Sequence, residues 1–195
     1  YLDTGKLYRK VAFEYLQKFN NEFILNPKLD KKEILKLVEN INFEDLKGKE
    51  LREDRVGIFA SKIAKISDLR EKLKITQVAF AKKMVELKGG CILDGRDIGT
   101  NIIPDAEIKF FVVASIDTRV KRRMKEFKFD KLPKNLQATK YKDIYKKIKL
   151  RDKNDYNRDI SPLEMAIDAI KIDTSKMTPL EVEMFAIKHI FEKKR

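Results

Sequence analysis

Three short runs in this 195-residue chain, Gly90 to Leu93, Ile108 to Ala114 and Ala169 to Ile172, are almost continuously apolar and are bounded by Gly, Asp or Ser. Such runs read as strands buried on both faces, and these imply a parallel sheet, because a sheet with one face in water alternates apolar with polar residues. Helix-like segments lie between the runs, so the expected class is α/β, a parallel sheet covered by helices. Ligands of such sheets bind at the carboxyl ends of the strands, and Asp94 begins at one such end.

Two helix starts are marked in the same way. Ser161-Pro162-Leu163-Glu164 and Thr178-Pro179-Leu180-Glu181 each offer a hydroxyl N-cap, proline at the first helical position and glutamate at the third. After Thr178, residues Val182, Phe185, Ala186, His189 and Ile190 fall at helical spacing. The only histidine thus lies beside a core stripe, with no second histidine or cysteine placed to help it, and is read as structural. Residues 26–66 are polar, carry Pro27 and Gly48 and hold no long buried strand; residues 121–157 are dense in lysine and arginine. The expected organisation is a single domain with a core of residues 1–25, 67–120 and 158–195. Residues 26–66 form a substrate-covering insert and residues 121–157 a lid with a helical return.

A net charge of +13 with 38% charged residues implies anionic partners: nucleic acid, an acidic membrane surface or phosphorylated small molecules. The lysines are scattered among glutamates, a pattern that biased composition also produces. They do not collect into one block, and neither a ribonucleoprotein aromatic signature nor zinc-ligand spacing accompanies them. Cys91 is the single cysteine, so no intramolecular disulfide forms, a reducing cytoplasm fits, and the thiol is expected to be a small buried hydrophobe. No apolar stretch approaches the roughly 18 residues of a membrane span and no signal-peptide pattern opens the chain. A soluble protein is expected.

Directly after Cys91-Ile92-Leu93 stands DGRDIGT, with Arg96 held between Asp94 and Asp97. That arginine is either bound by its neighbours or reserved for an incoming anion. In RDKNDYNR, steps of four and three place Arg151, Asp155 and Arg158 on one helical face, where they form an ion-pair ladder or a phosphate grip. YLDTGKLYR, at residues 1–9, is another strand-like run followed by Asp, a Gly turn and an arginine. Arginines at such positions suit bidentate contact with phosphate oxygens, because the guanidinium is planar and always charged.

YLDTGKLYR, ASKIAKISDLREKL (60–73), DGRDIGTNIIPDAEIKFFVVAS (94–115), KRR (121–123) and RDKNDYNR (151–158), in that order and spacing, resemble the bacterial cytidylate kinase family across nearly the whole chain. PLEMAIDAIKIDTSKMTPLEV resembles the family's last helix, strand and helix. The resemblance implies a P-loop nucleoside monophosphate kinase fold with an NMP-binding insert and a lid. The implied activity is transfer of the γ-phosphoryl of ATP to CMP or dCMP, with Mg2+. By the same resemblance Arg9, Arg96 and Arg158 grip the acceptor's phosphate, with Asp3 and Thr4 beside them. Ser61, Arg70 and Asp97 read the cytosine edge, and Arg151 with Asp155 holds the sugar. Arg96 and Arg158, with lid arginines drawn from Arg119, Arg122 and Arg123, meet the charge that develops during transfer, while Asp94 orients a water on magnesium or caps the following turn. Partners are then CMP or dCMP and ATP, with no specific nucleic acid and no membrane, in a cytoplasmic monomer. The competing readings are a P-loop kinase with a UMP or AMP acceptor and a basic nucleic-acid-binding protein.

The chain departs from the family pattern in one respect. Cytidylate kinases open with a strand and a Gly-rich loop ending in GK[ST], and no such motif occurs here. Because the first residue is Tyr1, the natural protein is expected to continue upstream, the alternative being a degenerate paralogue that cannot hold ATP, and this chain is expected to bind CMP better than it turns it over. The insert is short for the family but keeps its closing part, VENINFEDLKGKELREDRVGIFASKIA.

Overall fold

Residues 1–19 and 29–193 are described by a computed structural model, in which the chain divides into two compact units, Tyr1–Ile98 and Gly99–Arg195. The expected boundary between residues 25 and 26 lies outside the described residues.

The first unit opens with strand β1 (Leu2–Asp3), which turns at Thr4 into helix α1 (Gly5–Lys18). Helices α2 (Lys31–Glu39), α3 (Asp54–Ile63) and α4 (Ser67–Lys88) follow, and α4 leads into strand β2 (Leu93–Asp94). Leu7, Val11, Ala12, Tyr15 and Leu16 fall at i, i+4, i+5, i+8 and i+9 along one face of α1 and are all buried. They pack with Val56, Phe59 and Ile63 of α3, Ile34 and Val38 of α2, and Leu69 and Leu73 of α4. Each fully buried large side chain contributes about 1.5–3 kcal/mol, so this helical core holds the unit together and its short strands do not. The phenol of Tyr15 accepts from the Asp30 amide at 2.9 Å, so the largest buried ring leaves no polar atom unsatisfied. Helix α4 stops at Gly89, whose φ of 73° is left-handed and whose amide donates to the Val85 carbonyl.

β1 and β2 pair in parallel, Leu2 opposite Leu93 and Asp3 opposite Asp94. The stretches YLDT and ILDG therefore run side by side, and the loops that follow them leave from the same end.

The second unit holds strands β3 (Phe110–Val113) and β4 (Ile170–Asp173), also parallel, with Phe110 opposite Ile170 and Val113 opposite Asp173. Between them lie helices α5 (Ile116–Glu126) and α6 (Lys134–Tyr156), joined around a small core of Val120, Met124 and Ile144. Ser115 caps α5 through its hydroxyl, and its amide donates to the Ser175 hydroxyl just past β4. Helix α7 (Pro179–Lys193) starts as expected: the Glu181 amide donates to the Thr178 hydroxyl, and the Glu181 carboxylate accepts from the Thr178 amide at 2.7 Å. His189 lies half-buried on that helix with Nδ1 2.8 Å from the Phe185 carbonyl and its ring against the Phe185 ring.

Three expectations are corrected. The described residues form two parallel sheets of two strands each, and a strand with a single neighbour keeps part of its surface in water. The apolar runs are accordingly not buried on both faces: Ile92 is 68% exposed and Val112 59%. Cys91 is half-buried, its thiol 3.8 Å from the Ala81 carbonyl. Finally, Ser161-Pro162-Leu163-Glu164 starts no helix. Ser161 has φ of 50°, outside the extended region an N-cap occupies, and its hydroxyl and carbonyl are bound by Asn101 and Arg158.

Glu181 and Asp173 titrate below their ordinary values, Glu181 through its bonds from the Thr178 amide and hydroxyl, and Asp173 through those from the Ser175 hydroxyl and amide. The unfolded chain binds these protons more readily, so the stability they contribute is complete above about pH 5 and is lost as pH falls through their native values. The thermal midpoint is expected to fall on acidification from pH 5 to pH 3. In Glu181→Ala it should be lower at neutral pH and fall less steeply, as followed by circular dichroism. An identical pH profile in the variant would contradict the linkage.

Candidate active site

In the first unit, the parallel pairing brings DTG of residues 3–5 beside DGRD of residues 94–97. Thr4 is buried, and both its amide and its hydroxyl donate to the Asp94 carbonyl, at 2.9 and 2.8 Å. Its proton is thereby committed, so its oxygen faces other groups as an acceptor. Gly95 sits under this contact: a Cβ there would stand 2.4 Å from Thr4 Oγ1 and 2.8 Å from Ile98 Cδ1. Asp94 is exposed, with Oδ2 3.3 Å from the Tyr1 hydroxyl. That phenol is pushed above its ordinary value, first by partial burial and then by the charges of Asp94 and Asp3. Asp3 is half-buried at the end of β1, and Arg96 is exposed.

Asp97 and Arg70 are both buried, at 8% and 6% exposure, and the Arg70 Nη2 donates to Asp97 Oδ2 at 2.6 Å. Nη1 reaches the Ala64 carbonyl, and the guanidinium lies 5.8 Å from the centre of the Tyr8 ring. Nε has no hydrogen-bond partner among the described residues. Arg9 leaves α1 one residue after Tyr8; its Nη1 donates to the Leu51 carbonyl at 2.7 Å and its guanidinium lies on Gly57. Ser61, exposed on α3, turns its hydroxyl back to the Gly57 carbonyl.

In the second unit, Arg119 grips Asp152 with both terminal nitrogens, at 2.8 and 2.6 Å, and tethers α5 to α6. Arg122 donates to the hydroxyl and carbonyl of Thr174 at the end of β4, and Arg123 pairs with Glu126 while lying over Phe127. Arg151 and Asp155 are 3.8 Å apart on α6. Arg158 is not on their helical face, because α6 ends at Tyr156. It lies in the following turn with Nε donating to the Ser161 carbonyl. The helix cannot run further: the Leu163 amide folds back to the Asp155 carbonyl at 2.8 Å.

A single exposed carboxylate such as Asp94 fits magnesium held through water, since that ion keeps several waters and takes few protein ligands. Among the described residues no cluster of three or more acidic, histidine or cysteine side chains could hold a metal by itself. Sequence reasoning missed Tyr8, Leu51 and Gly57, which surround Arg70 and Arg9, and Asn101 and Ser161, which surround the turn of Arg158. Tyr8 was visible only as the neighbour of Arg9 in YLDTGKLYR; the carbonyl of Leu51 has no signature in a sequence.

A family model for cytidylate kinase matches residues 1–192. The chain is 40% identical to the cytidylate kinase of Thermosipho melanesiensis over 99% of its own length and 85% of the relative's. It is 37% identical to that of Bacillus pumilus over 93% and 80%, and 35% identical to that of Bacillus velezensis over 100% and 86%.

Replacing Gly95 by alanine is expected to cost about 1–3 kcal/mol, because Thr4 is held at both its amide and its hydroxyl and cannot move aside. Gly90→Ala, where a Cβ meets nothing within 4 Å, is the control and should cost under about 0.5 kcal/mol. Urea unfolding of both variants measures the difference, and equal midpoints would show that the turn can relax.

Proposed function

The chain belongs to the cytidylate kinase family of phosphotransferases, and from that premise we propose that Arg70 and Asp97 recognise the cytosine of a CMP or dCMP acceptor. The observation that carries this reading is the buried pair itself. A carboxylate accepts hydrogen bonds only, so Asp97 suits the exocyclic amine of cytosine, whereas uracil presents a carbonyl at that position. Arg70 holds that carboxylate in place, and Tyr8 limits where the guanidinium can go. Ser61 completes the base contact as the family motif assigns it.

Arg96, exposed beside Asp97, and Arg9, fixed by Leu51, take the acceptor's phosphate, with Asp3 and Thr4 holding the strand ends from which these loops leave. In the second unit the motif assigns Arg158 to phosphate and Arg151 with Asp155 to the sugar. Phosphoryl transfer asks for alignment and for charge against the developing negative oxygens, with no strong base. Arginines supply both, and Arg122 and Arg123, on the region 121–157 read as a lid, are the further candidates. Asp94 would hold magnesium through water, and the ion would supply positive charge against the phosphates of the ATP donor.

Calorimetric titration of the purified chain with CMP and with UMP tests the acceptor site. Saturable CMP binding is expected, with much weaker UMP binding. Asp97→Asn should weaken CMP by about 10- to 100-fold, as loss of a hydrogen bond to a charged group does, and narrow the gap to UMP. A folded chain that binds neither nucleotide, or a variant whose CMP isotherm is unchanged, would remove Asp97 from base recognition.

A further inference from the structure

Helix α6 carries a charge arrangement that the kinase reading leaves unused. Lys142, Lys146, Lys149 and Lys153 are spaced by four, three and four residues, so they form one stripe, and all four are exposed. The opposite face is the one that packs, with Ile144 buried and Tyr141 and Ile148 against it. Every carboxylate of α6 is engaged off the stripe: Asp143 pairs with Lys147, Asp152 with Arg119, and Asp155 with Arg151. None of the four lysines makes an ion pair or side-chain hydrogen bond among the described residues.

Like charges three and four apart on a helix repel and destabilise it. The helix dipole offsets this for cations in the last turn, hence for Lys153, but offers nothing to Lys142 and Lys146 in the interior. Stability therefore does not account for the stripe. Scattered in the sequence, these lysines are collected only by the helix. Eleven residues of rise span about 16 Å, the length of about five phosphates along one strand of a duplex. Between Lys142 and Lys153 the one aromatic neighbour, Tyr145, is half-buried against the small core, and exposed Tyr156 stands at the end of the helix, so this face offers at most one ring where single-strand binding stacks successive bases.

We propose that this face of α6 docks the sugar–phosphate backbone of a nucleic acid duplex, without reading its sequence. The test is fluorescence anisotropy of a labelled, mixed-sequence DNA duplex titrated with the full chain at several salt concentrations. A variant with all four stripe lysines changed to glutamine is compared with one in which exposed Lys31, Lys32, Lys82 and Lys83 are changed, so both have the same net charge. The stripe variant should bind more weakly, with a slope of log affinity on log salt shallower by about 3 to 4, while the control keeps nearly the native slope. Circular dichroism and CMP titration should be unchanged in both variants, since these lysines lie outside the acceptor site. An equal loss in the two variants would reduce the effect to net charge and overturn the proposal. So would a stripe variant that binds the duplex normally but no longer binds vesicles containing phosphatidylserine, an outcome that would make the face a membrane surface.

Discussion

The geometry of the candidate site in the first unit depends on one carbonyl. The Asp94 backbone oxygen accepts hydrogen bonds from both the amide and the hydroxyl of Thr4, and this pair of bonds pins the end of β1 to the end of β2. The two strands are only two residues long, too short to hold each other by a ladder. With this contact in place, the loops that begin at Thr4 and Gly95 leave from one edge, and Asp3, Asp94 and Arg96 follow without further design. The same contact explains why position 95 has no side chain: the space a Cβ needs is already filled by the Thr4 hydroxyl.

The buried pair of Arg70 and Asp97 belongs to a different category of interaction. Removing two charges from water costs several kcal/mol per ion, and a pair of this kind is weak evidence for stability. Arg70 is moreover incompletely satisfied, with Nε unpaired among the described residues. A chain selected only for folding gains little from such an arrangement, whereas one that must present a carboxylate fixed in place to a polar ligand gains a preorganised acceptor. The arginines of the second unit show the contrasting use. Arg119 and Arg122 are bound to Asp152 and Thr174, and so serve first to hold α5 against its neighbours.

Much of this was legible in the sequence wherever the signal is local. Thr178-Pro179-Leu180-Glu181 starts a helix because hydroxyl, proline and glutamate act within one turn and a periodic apolar stretch follows. Ser161-Pro162-Leu163-Glu164 carries the same letters and starts none, because contacts to Asn101 and Arg158 hold Ser161 in a left-handed conformation. The steps of four and three in RDKNDYNR were read as one helical face, yet the helix stops before Arg158. The apolar runs at 108–114 and 169–172 marked strands but not their burial, and the run at 90–93 reaches its strand only at Leu93, since burial depends on how many neighbours a strand acquires and no run encodes that count.

What the sequence determined by itself was the family, the order of the motifs and the residue types the chemistry requires, because those are properties of short segments and of their succession. Only the tertiary structure decided which groups meet. Asp97 is separated from Arg70 by most of α4, and Leu51 offers its carbonyl to Arg9 across the α1–α3 packing. Such pairings are set by helix packing and strand register, in which distant segments compete for one buried volume.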